Sequence, residues 1–143
     1  MESRKYIMSI KPIFGEQILE GVKGYELRRR GRVAPGSIVV LYESSPVKAV
    51  VGDFRVGRTF YASFEELARR IRRGELRGCG EEDIPYIKGS GRVLVMEVLD
   101  PFRYPRAVSL AELRIAIPGF RPPLSYARFD RYYHLVRSLA ESF

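Results

Sequence analysis

The residues best suited to chemistry lie in the segment GVKGYELRRR, residues 21–30. In an extended strand, alternate side chains share one face at a spacing of about 7 Å, so Glu26 and Arg28 point to the same side. Arg28 can then pair with Glu26 and hold that carboxylate ionised. Lys23 projects from the glycine turn just before the strand. The three groups predict either a polar site for an anionic or hydrogen-bonding ligand or a salt bridge on an edge strand.

Two chemical roles are open for Lys23. A hydrolytic role would require its pKa to fall from about 10.4, a change that Arg28 favours and Glu26 opposes. Contact with a phosphate or a carbonyl group needs no such change. Binding is therefore the first hypothesis, and a hydrolase that uses Lys23 and Glu26 as its catalytic pair is the alternative.

Four further residues are of types that could contribute to a site. Lys11, just after the first predicted strand, either joins Lys23 at the ligand or is an ordinary exposed lysine. Glu97 lies either at an exposed strand end or in the interior of the fold, where it could face Lys23 and act as a general base. The single histidine, His134, has no second ligand at metal spacing, and the single cysteine, Cys79, has no base near it in sequence. We therefore expect no metal site, no cofactor and no cysteine nucleophile.

The elements around the motif follow from hydrophobic periodicity. Residues 5–11 alternate as a first strand, and Pro12 and Gly21 bracket a helix with an apolar edge of Ile13, Phe14, Gln17 and Ile18. The motif strand spans 24–30. Three more strands are predicted at 37–43, at 47–57 with a bulge at Gly52, and at 92–98.

Three helices are predicted after the long strand. S-x-x-E capping boxes at Ser63 and Ser109 begin two of them. Helical spacing of apolar residues predicts a third helix over 125–141. Four or five strands without regular alternation indicate an α+β fold in a single domain spanning 1–143.

The charge distribution points to a polyanionic partner. The net charge is +8, and residues 1–73 carry 15 Lys and Arg against 8 Asp and Glu, a net of +7. Such an excess indicates nucleic acid, although solvated arginines can also serve solubility and ion-pair networks. The candidate phosphate contacts are the run Arg28–Arg32, which includes Arg30, and the predicted helix face Arg69, Arg70, Arg72 and Arg73.

Aromatic residues near the basic segments could stack on unpaired bases. We expect most of the candidates Tyr25, Tyr42 and Phe60 to pack in the core and Tyr61, beside Arg58 and Thr59, to be exposed. Gly89 and Gly91 do not form a phosphate-binding fingerprint, because no G-x-G-x-x-G follows a strand and opens a helix.

Length and composition limit the number of domains and the class of protein. At 143 residues and 45% hydrophobic content, the chain fits one compact domain, and no apolar run is long enough to cross a bilayer. A single cysteine and the absence of a signal-peptide pattern lead us to expect a cytoplasmic protein. Arginine supplies 20 of the 25 basic residues and asparagine is absent, which favours a thermophilic source.

The segment MSIKPIFGEQILEGVKGYELRRR resembles the ASCH domain family, a branch of the PUA-like barrels. The family motif G-x-K-x-x-E-x-R appears complete as Gly21, Lys23, Glu26 and Arg28. The later segments VVGDFRVG, ASFEELARRI, RVLVMEVLDPFRYP and PPLSYARF are similar to the layout of archaeal members. The resemblance therefore covers nearly the whole chain.

The resemblance implies a small mixed β-barrel with flanking helices and a cleft lined by the motif. It implies an RNA partner, single-stranded or locally opened, or a nucleoside-like ligand, since some members resemble ribonucleases and one branch hydrolyses acetylated cytidine. In that branch a threonine nucleophile stands at the motif position that is Glu26 here, and this departure counts against amidohydrolase activity. ASCH domains also occur in transcription coactivators, so a regulatory protein-interaction role is a third hypothesis.

Overall fold

The computed structural model describes residues 3–142, which form six strands and five helices. The strands are β1 (Lys5–Ile10), β2 (Tyr25–Arg28), β3 (Ile38–Glu43), β4 (Ala49–Ala62), β5 (Val93–Ser109) and β6 (Tyr126–Arg128). The helices are α1 (Pro12–Leu19), α2 (Phe64–Arg72), α3 (Ile84–Ile87), α4 (Leu110–Ala116) and α5 (Tyr133–Glu141). A 3-10 turn, Glu81–Asp83, precedes α3.

All six strands belong to one sheet in the order β2-β5-β4-β3-β1-β6, which curls into a half-barrel. The β1–β3 pair is parallel and every other pair is antiparallel. The two edge strands, β2 and β6, approach each other across the open side. Arg28 of β2 bridges this seam, since its guanidinium group donates to the Ser125 hydroxyl next to β6 at 3.2 Å and to the Ser9 carbonyl of β1 at 3.0 Å. The predicted α+β architecture, a small mixed sheet with flanking helices, is confirmed.

Apolar residues cover both faces of the sheet. Alternation in β1 sends Tyr6, Met8 and Ile10 into one core, which α1 completes with Phe14 and Ile18. On the opposite face, one cluster packs α4 and α5 against the middle strands, and a second packs α2 and α3 against β4 and β5. Ile13, predicted on the apolar edge of α1, is 60% exposed and points away from that core.

Local sequence signals fix the helix boundaries. The Ser63 hydroxyl accepts from the Glu66 amide at 3.2 Å at the start of α2, and Ser109 caps α4 in a complete capping box with Glu112. Gly21 adopts a φ of +78° just after α1, a conformation that glycine reaches without a steric penalty. This turn leads the chain from α1 into β2, the strand that carries Glu26 and Arg28.

The prediction of one helix over 125–141 is wrong for its first part. Residues 126–128 form β6, and α5 begins only at Tyr133. Tyr126 pairs with Met8 of β1 and packs against the core on that face, while the Phe129 amide donates to the Lys5 carbonyl. Pairing with β1 outweighs the helical spacing because it satisfies the backbone of an otherwise open edge.

Strand β5 is also longer than the predicted 92–98, and it runs through the proline-containing segment to Ser109. Both prolines lie where its pairing with β4 is irregular: Pro101 between the partners Leu99 and Phe102, and Pro105 between Arg103 and Val108. Proline is tolerated at such breaks because no ladder hydrogen bond is lost there. The predicted bulge at Gly52 coincides with a register shift of β4 and is confirmed.

Among residues 3–142, no helix combines the length and apolar character that crossing a bilayer requires.

Candidate functional site

A cavity of about 390 Å³ opens at the seam of the half-barrel, between β2, the end of β1 and helix α3. We call it the motif cavity. Its wall includes two of the motif residues, Glu26 and Arg28, and also Lys11. Its remaining walls come from distant segments, which contribute Phe14, Asp83, Tyr86 and Ser125 among others.

Glu26 and Arg28 form a rigid ion pair on the cavity wall. Nε and Nη2 of Arg28 lie 3.0 and 2.8 Å from Oε2 of Glu26. The guanidinium also donates to the Ser9 carbonyl at 3.0 Å and to the Ser125 hydroxyl at 3.2 Å. The Glu26 and Arg28 side chains are 8% and 13% exposed, so the pair is not the solvated edge-strand salt bridge that the sequence left open.

This ion pair leaves one acceptor uncommitted. Within residues 3–142, Oε1 of Glu26 has no hydrogen-bond partner, and it is not a fully buried atom. Since Glu26 lines the motif cavity, its free oxygen can accept a hydrogen bond from a ligand there.

Lys23 lies beside the cavity but does not line it. Its side chain is 1% exposed and forms a buried ion pair with Asp83. The ammonium group also lies 3.8 Å from the Cys79 sulfur and 5.0 Å from the centre of the Phe14 ring. Burial lowers the pKa of Lys23, but Glu26, Cys79 and Asp83 together outweigh this effect, so the pKa is raised above its ordinary value.

The loop before α3 encloses Lys23. Gly78 has a φ of +80°, and a Cβ there would collide with the backbone of Val22 and Lys23, so only glycine allows this approach. Asp83 is held in place because the Gly80 amide donates to its second oxygen at 2.8 Å. Burial raises the pKa of the Cys79 thiol to about 11, and a protonated thiol is a poor nucleophile.

An aromatic edge borders the motif cavity. The Tyr86 ring is 44% exposed and packs edge-to-face on Phe14, with 5.3 Å between ring centres. Lys11 is exposed and lines the cavity. Its ammonium group lies 4.7 Å from the centre of the Tyr86 ring, a cation–π contact. Sequence reasoning missed Tyr86, because the short helix that presents it has no periodic signal of its own.

A second cavity of about 370 Å³ adjoins the first and shares Arg29 and Arg30 with it. Its other wall is the loop Gly89–Gly91 with Arg92. We call Arg29, Arg30 and Arg92 the arginine shelf. Arg30 is therefore placed at both cavities. Tyr61, which is 37% exposed as predicted, supports the shelf, because Arg92 lies 4.3 Å from its ring centre.

Other sequence candidates lie outside both cavities. Arg69 and Arg70 are on α2, and the Arg70 guanidinium lies 5.2 Å from the Phe60 ring. Tyr42 is buried in a core cluster, as expected, and Tyr25 and Phe60 pack against another.

Glu97 does not face Lys23. Its carboxylate accepts from the Arg58 amide at 3.0 Å, at an irregular point of the β4–β5 pairing. His134 is exposed on α5. Residues 3–142 contain no cluster of three or more His, Cys, Asp or Glu side chains suited to a metal ion.

Comparison with solved structures identifies the fold. The ASCH protein from Zymomonas mobilis aligns with a TM-score of 0.79 and 22% identity over 96% of this chain and 92% of that chain. A single-residue mutant of it aligns with a TM-score of 0.83 and 23% identity over 96% and 97%. The N-terminal domain of McrB from Staphylothermus marinus aligns at 0.63 and 12% identity over 96% and 95%.

This chain thus has the fold of an ASCH domain, as the resemblance implied. No protein-family model and no curated protein matches the sequence.

Proposed function

We propose that this protein is an RNA-binding module that takes an unpaired base into the motif cavity. The observation that carries the proposal is the Glu26–Arg28 pair, which fixes a carboxylate on the cavity wall and leaves Oε1 free. A carboxylate oxygen accepts hydrogen bonds from the exocyclic amino groups of bases. The cavity is therefore better suited to adenine, cytosine or guanine than to uracil, whose one donor, the ring N3–H, lies between two carbonyl oxygens that a carboxylate repels.

The surroundings of Glu26 support an RNA ligand. Tyr86 offers an exposed ring at the cavity edge, and aromatic rings stack on unpaired bases. Lys11, Arg28, Arg29 and Arg30 also line the cavity, and they outnumber its two carboxylates, Glu26 and Asp83. Both carboxylates are already paired, so the remaining positive charge favours a polyanion.

The alternative function, a hydrolase using Lys23 and Glu26, has less support. Lys23 is sealed from the cavity by burial and by its ion pair with Asp83. Its raised pKa keeps the amine protonated, and a protonated amine is neither a base nor a nucleophile. Lys23 fits better as a structural cation beneath the cavity.

Binding of labelled single-stranded oligomers of A, C and U tests the proposal, with fluorescence anisotropy as the readout. We expect the wild type to bind the A and C oligomers more tightly than the U oligomer. Glu26→Gln should bring the three affinities together, because the amide places a donor as well as an acceptor toward the base. Charge-assisted hydrogen bonds are worth about 1.5–3 kcal/mol, so the preference should be roughly tenfold or more.

Glu65→Gln is the matched control, since Glu65 is an exposed acid on α2 and the charge change is identical. Equal affinity of the wild type for all three oligomers would contradict base recognition by Glu26. RNA integrity is followed in the same tubes. Cleavage by the wild type that disappears in Lys23→Ala, while a thermal melt shows that the variant is folded, would replace the binding proposal with the hydrolase.

We also propose that the chain is a single, thermostable, cytoplasmic domain. Its first strand and its last strand, β1 and β6, are neighbours in one sheet, which supports a single cooperative unit. One calorimetric transition at high temperature is the expected result. Two separate transitions would contradict the single domain.

A further inference from the structure

The arginine shelf carries positive charge that the protein itself does not neutralise. Within residues 3–142, Arg29, Arg30 and Arg92 form no ion pair with a carboxylate, and their cavity has no acidic residue in its wall. The ten ion pairs of the described chain involve nine other basic residues. Three unpaired guanidinium groups around one cavity favour an anionic occupant.

The backbone beneath the shelf is fixed before any ligand arrives. Ser90 donates to the Arg29 carbonyl at 2.6 Å, and the Tyr61 hydroxyl donates to the Gly31 carbonyl at 2.8 Å. The Arg32 amide donates to the Tyr126 hydroxyl at 2.8 Å. Three elements that are distant in sequence therefore hold residues 29–32 in place, and preorganisation of this kind lowers the cost of binding.

Two of the shelf side chains are also oriented. Arg29 donates to the Lys88 carbonyl at 2.9 Å, and the Arg92 guanidinium stacks against the Tyr61 ring. Arg30 has no such contact among the described residues and remains free to follow a ligand. The facing loop is open, since a Cβ at Gly91 would meet no atom within 4 Å.

The position of the shelf connects it to the motif cavity. Because Arg29 and Arg30 line both cavities, the two cavities are neighbours, and one extended ligand can contact both. The two cavities differ in chemistry: one is bordered by aromatic rings and a carboxylate, the other by arginines and a glycine loop. A nucleotide has two matching parts: a base, which suits the aromatic rings and the carboxylate, and a phosphate, which suits the arginines.

We propose that the arginine shelf is a phosphate subsite that binds the sugar–phosphate backbone next to the base held in the motif cavity. This inference rests on the proposed function and adds a requirement for phosphate. A bare nucleoside would fill only the motif cavity. The ligand is thus a polynucleotide rather than a free nucleoside.

The test measures the affinity of a labelled single-stranded RNA across a salt series for the wild type and Arg92→Ala. Each phosphate contact contributes about −0.7 to the slope of log affinity against log salt, which is roughly fivefold in affinity at 0.1 M salt. We expect Arg92→Ala to lose about that slope and that affinity. An oligomer with a neutral methylphosphonate backbone should bind both proteins equally.

Arg114→Ala is the matched control, because Arg114 is an exposed arginine on α4 and lines neither cavity. Arg30→Ala is the second shelf variant, and it removes a side chain that forms no hydrogen bond or ion pair among residues 3–142. A thermal melt of each variant confirms folding. An unchanged salt slope in both shelf variants, with the Glu26-dependent base preference intact, would overturn the subsite and leave the proposed function standing.

Two further outcomes would also overturn the subsite. Absence of any RNA binding by the wild type removes the proposed function and the subsite together. Polyglutamate that displaces RNA from the wild type but not from Arg92→Ala would assign the shelf to an acidic protein partner.

Discussion

The motif G-x-K-x-x-E-x-R produces two buried ion pairs that differ in their position relative to the motif cavity. Glu26 and Arg28 pair with each other along one strand and face the motif cavity. Lys23 pairs with Asp83, which is 60 residues away in sequence, and is excluded from the cavity. One short segment therefore supplies both a recognition group and a structural anchor. The anchor ties β2 to the loop and helix that carry Tyr86 to the cavity edge.

We expect the loss of each ion pair to have a different effect on stability and on binding. Lys23→Met removes the cation from a buried site and leaves the Asp83 carboxylate without its partner. Breaking a buried pair in this way costs about 3–5 kcal/mol of stability. Urea unfolding should show this loss in the free energy of unfolding. The double variant Lys23→Met/Asp83→Leu should recover much of it, because no buried charge is then unpaired.

The dependence of stability on alkaline pH also tests the Lys23–Asp83 ion pair. The pKa of Lys23 is raised above 10.5, so its contribution to stability is complete below pH 10.5 and is lost as pH rises through the folded-state pKa. The wild type should therefore lose more stability above pH 10.5 than the double variant loses. Parallel unfolding curves for the two proteins at alkaline pH would contradict a stabilising Lys23 ion pair.

Arg28→Lys should weaken binding and should destabilise the fold less than Lys23→Met does. An ammonium group cannot reproduce the planar guanidinium contacts with Glu26, Ser9 and Ser125 together. We expect RNA affinity to fall about tenfold because the carboxylate is no longer oriented, and stability to fall by about 1–2 kcal/mol. Affinity is measured by anisotropy and stability by urea unfolding. A stability loss as large as that of Lys23→Met would show that Arg28 is also an anchor.

Glu43 offers a third case, a buried carboxyl group without a cation of its own. It is 2% exposed, and its Oε2 is buried without a hydrogen-bond partner. Burial, reinforced by the neighbouring Glu16, raises the pKa of Glu43 to about 8, whereas Arg103 acts mainly on Glu16. The folded protein thus holds a proton on Glu43 that the unfolded chain releases near pH 4.5.

The sign of the resulting pH dependence follows from this proton. Stability associated with Glu43 is present at low pH and is lost as pH rises from about 4.5 through about 8. Glu43→Gln should therefore gain stability relative to the wild type across that window, by on the order of 1–3 kcal/mol at pH 8. Unfolding in urea at pH 5 and pH 8 measures the difference. Glu65→Gln, which removes an exposed acid on α2 far from this pair in sequence, is the control for loss of charge.

The contrast between the two motif pairs also explains what the sequence could predict. Strand periodicity is local, so it places Glu26 beside Arg28 and assigns five of the six strands. The partner of Lys23 depends on how the loop 76–83 folds back, and no spacing in the sequence encodes that contact. The same holds for Tyr86 and Arg92, which reach the site through the tertiary fold. Strand β6 was missed because its pairing with β1 overrides a helical pattern.

The smallest effect is expected from an ion pair on the surface. Arg72 lies 3.0 Å from Glu81, but the two side chains are 59% and 70% exposed. Solvent screens such a pair, and its worth is typically below about 1 kcal/mol. Arg72→Ala should therefore change the free energy of unfolding by no more than about 0.5 kcal/mol, and 0.5 M salt should remove the difference. A larger effect, insensitive to salt, would mean that the Glu81–Asp83 turn depends on Arg72, and that the Lys23 anchor extends to α2.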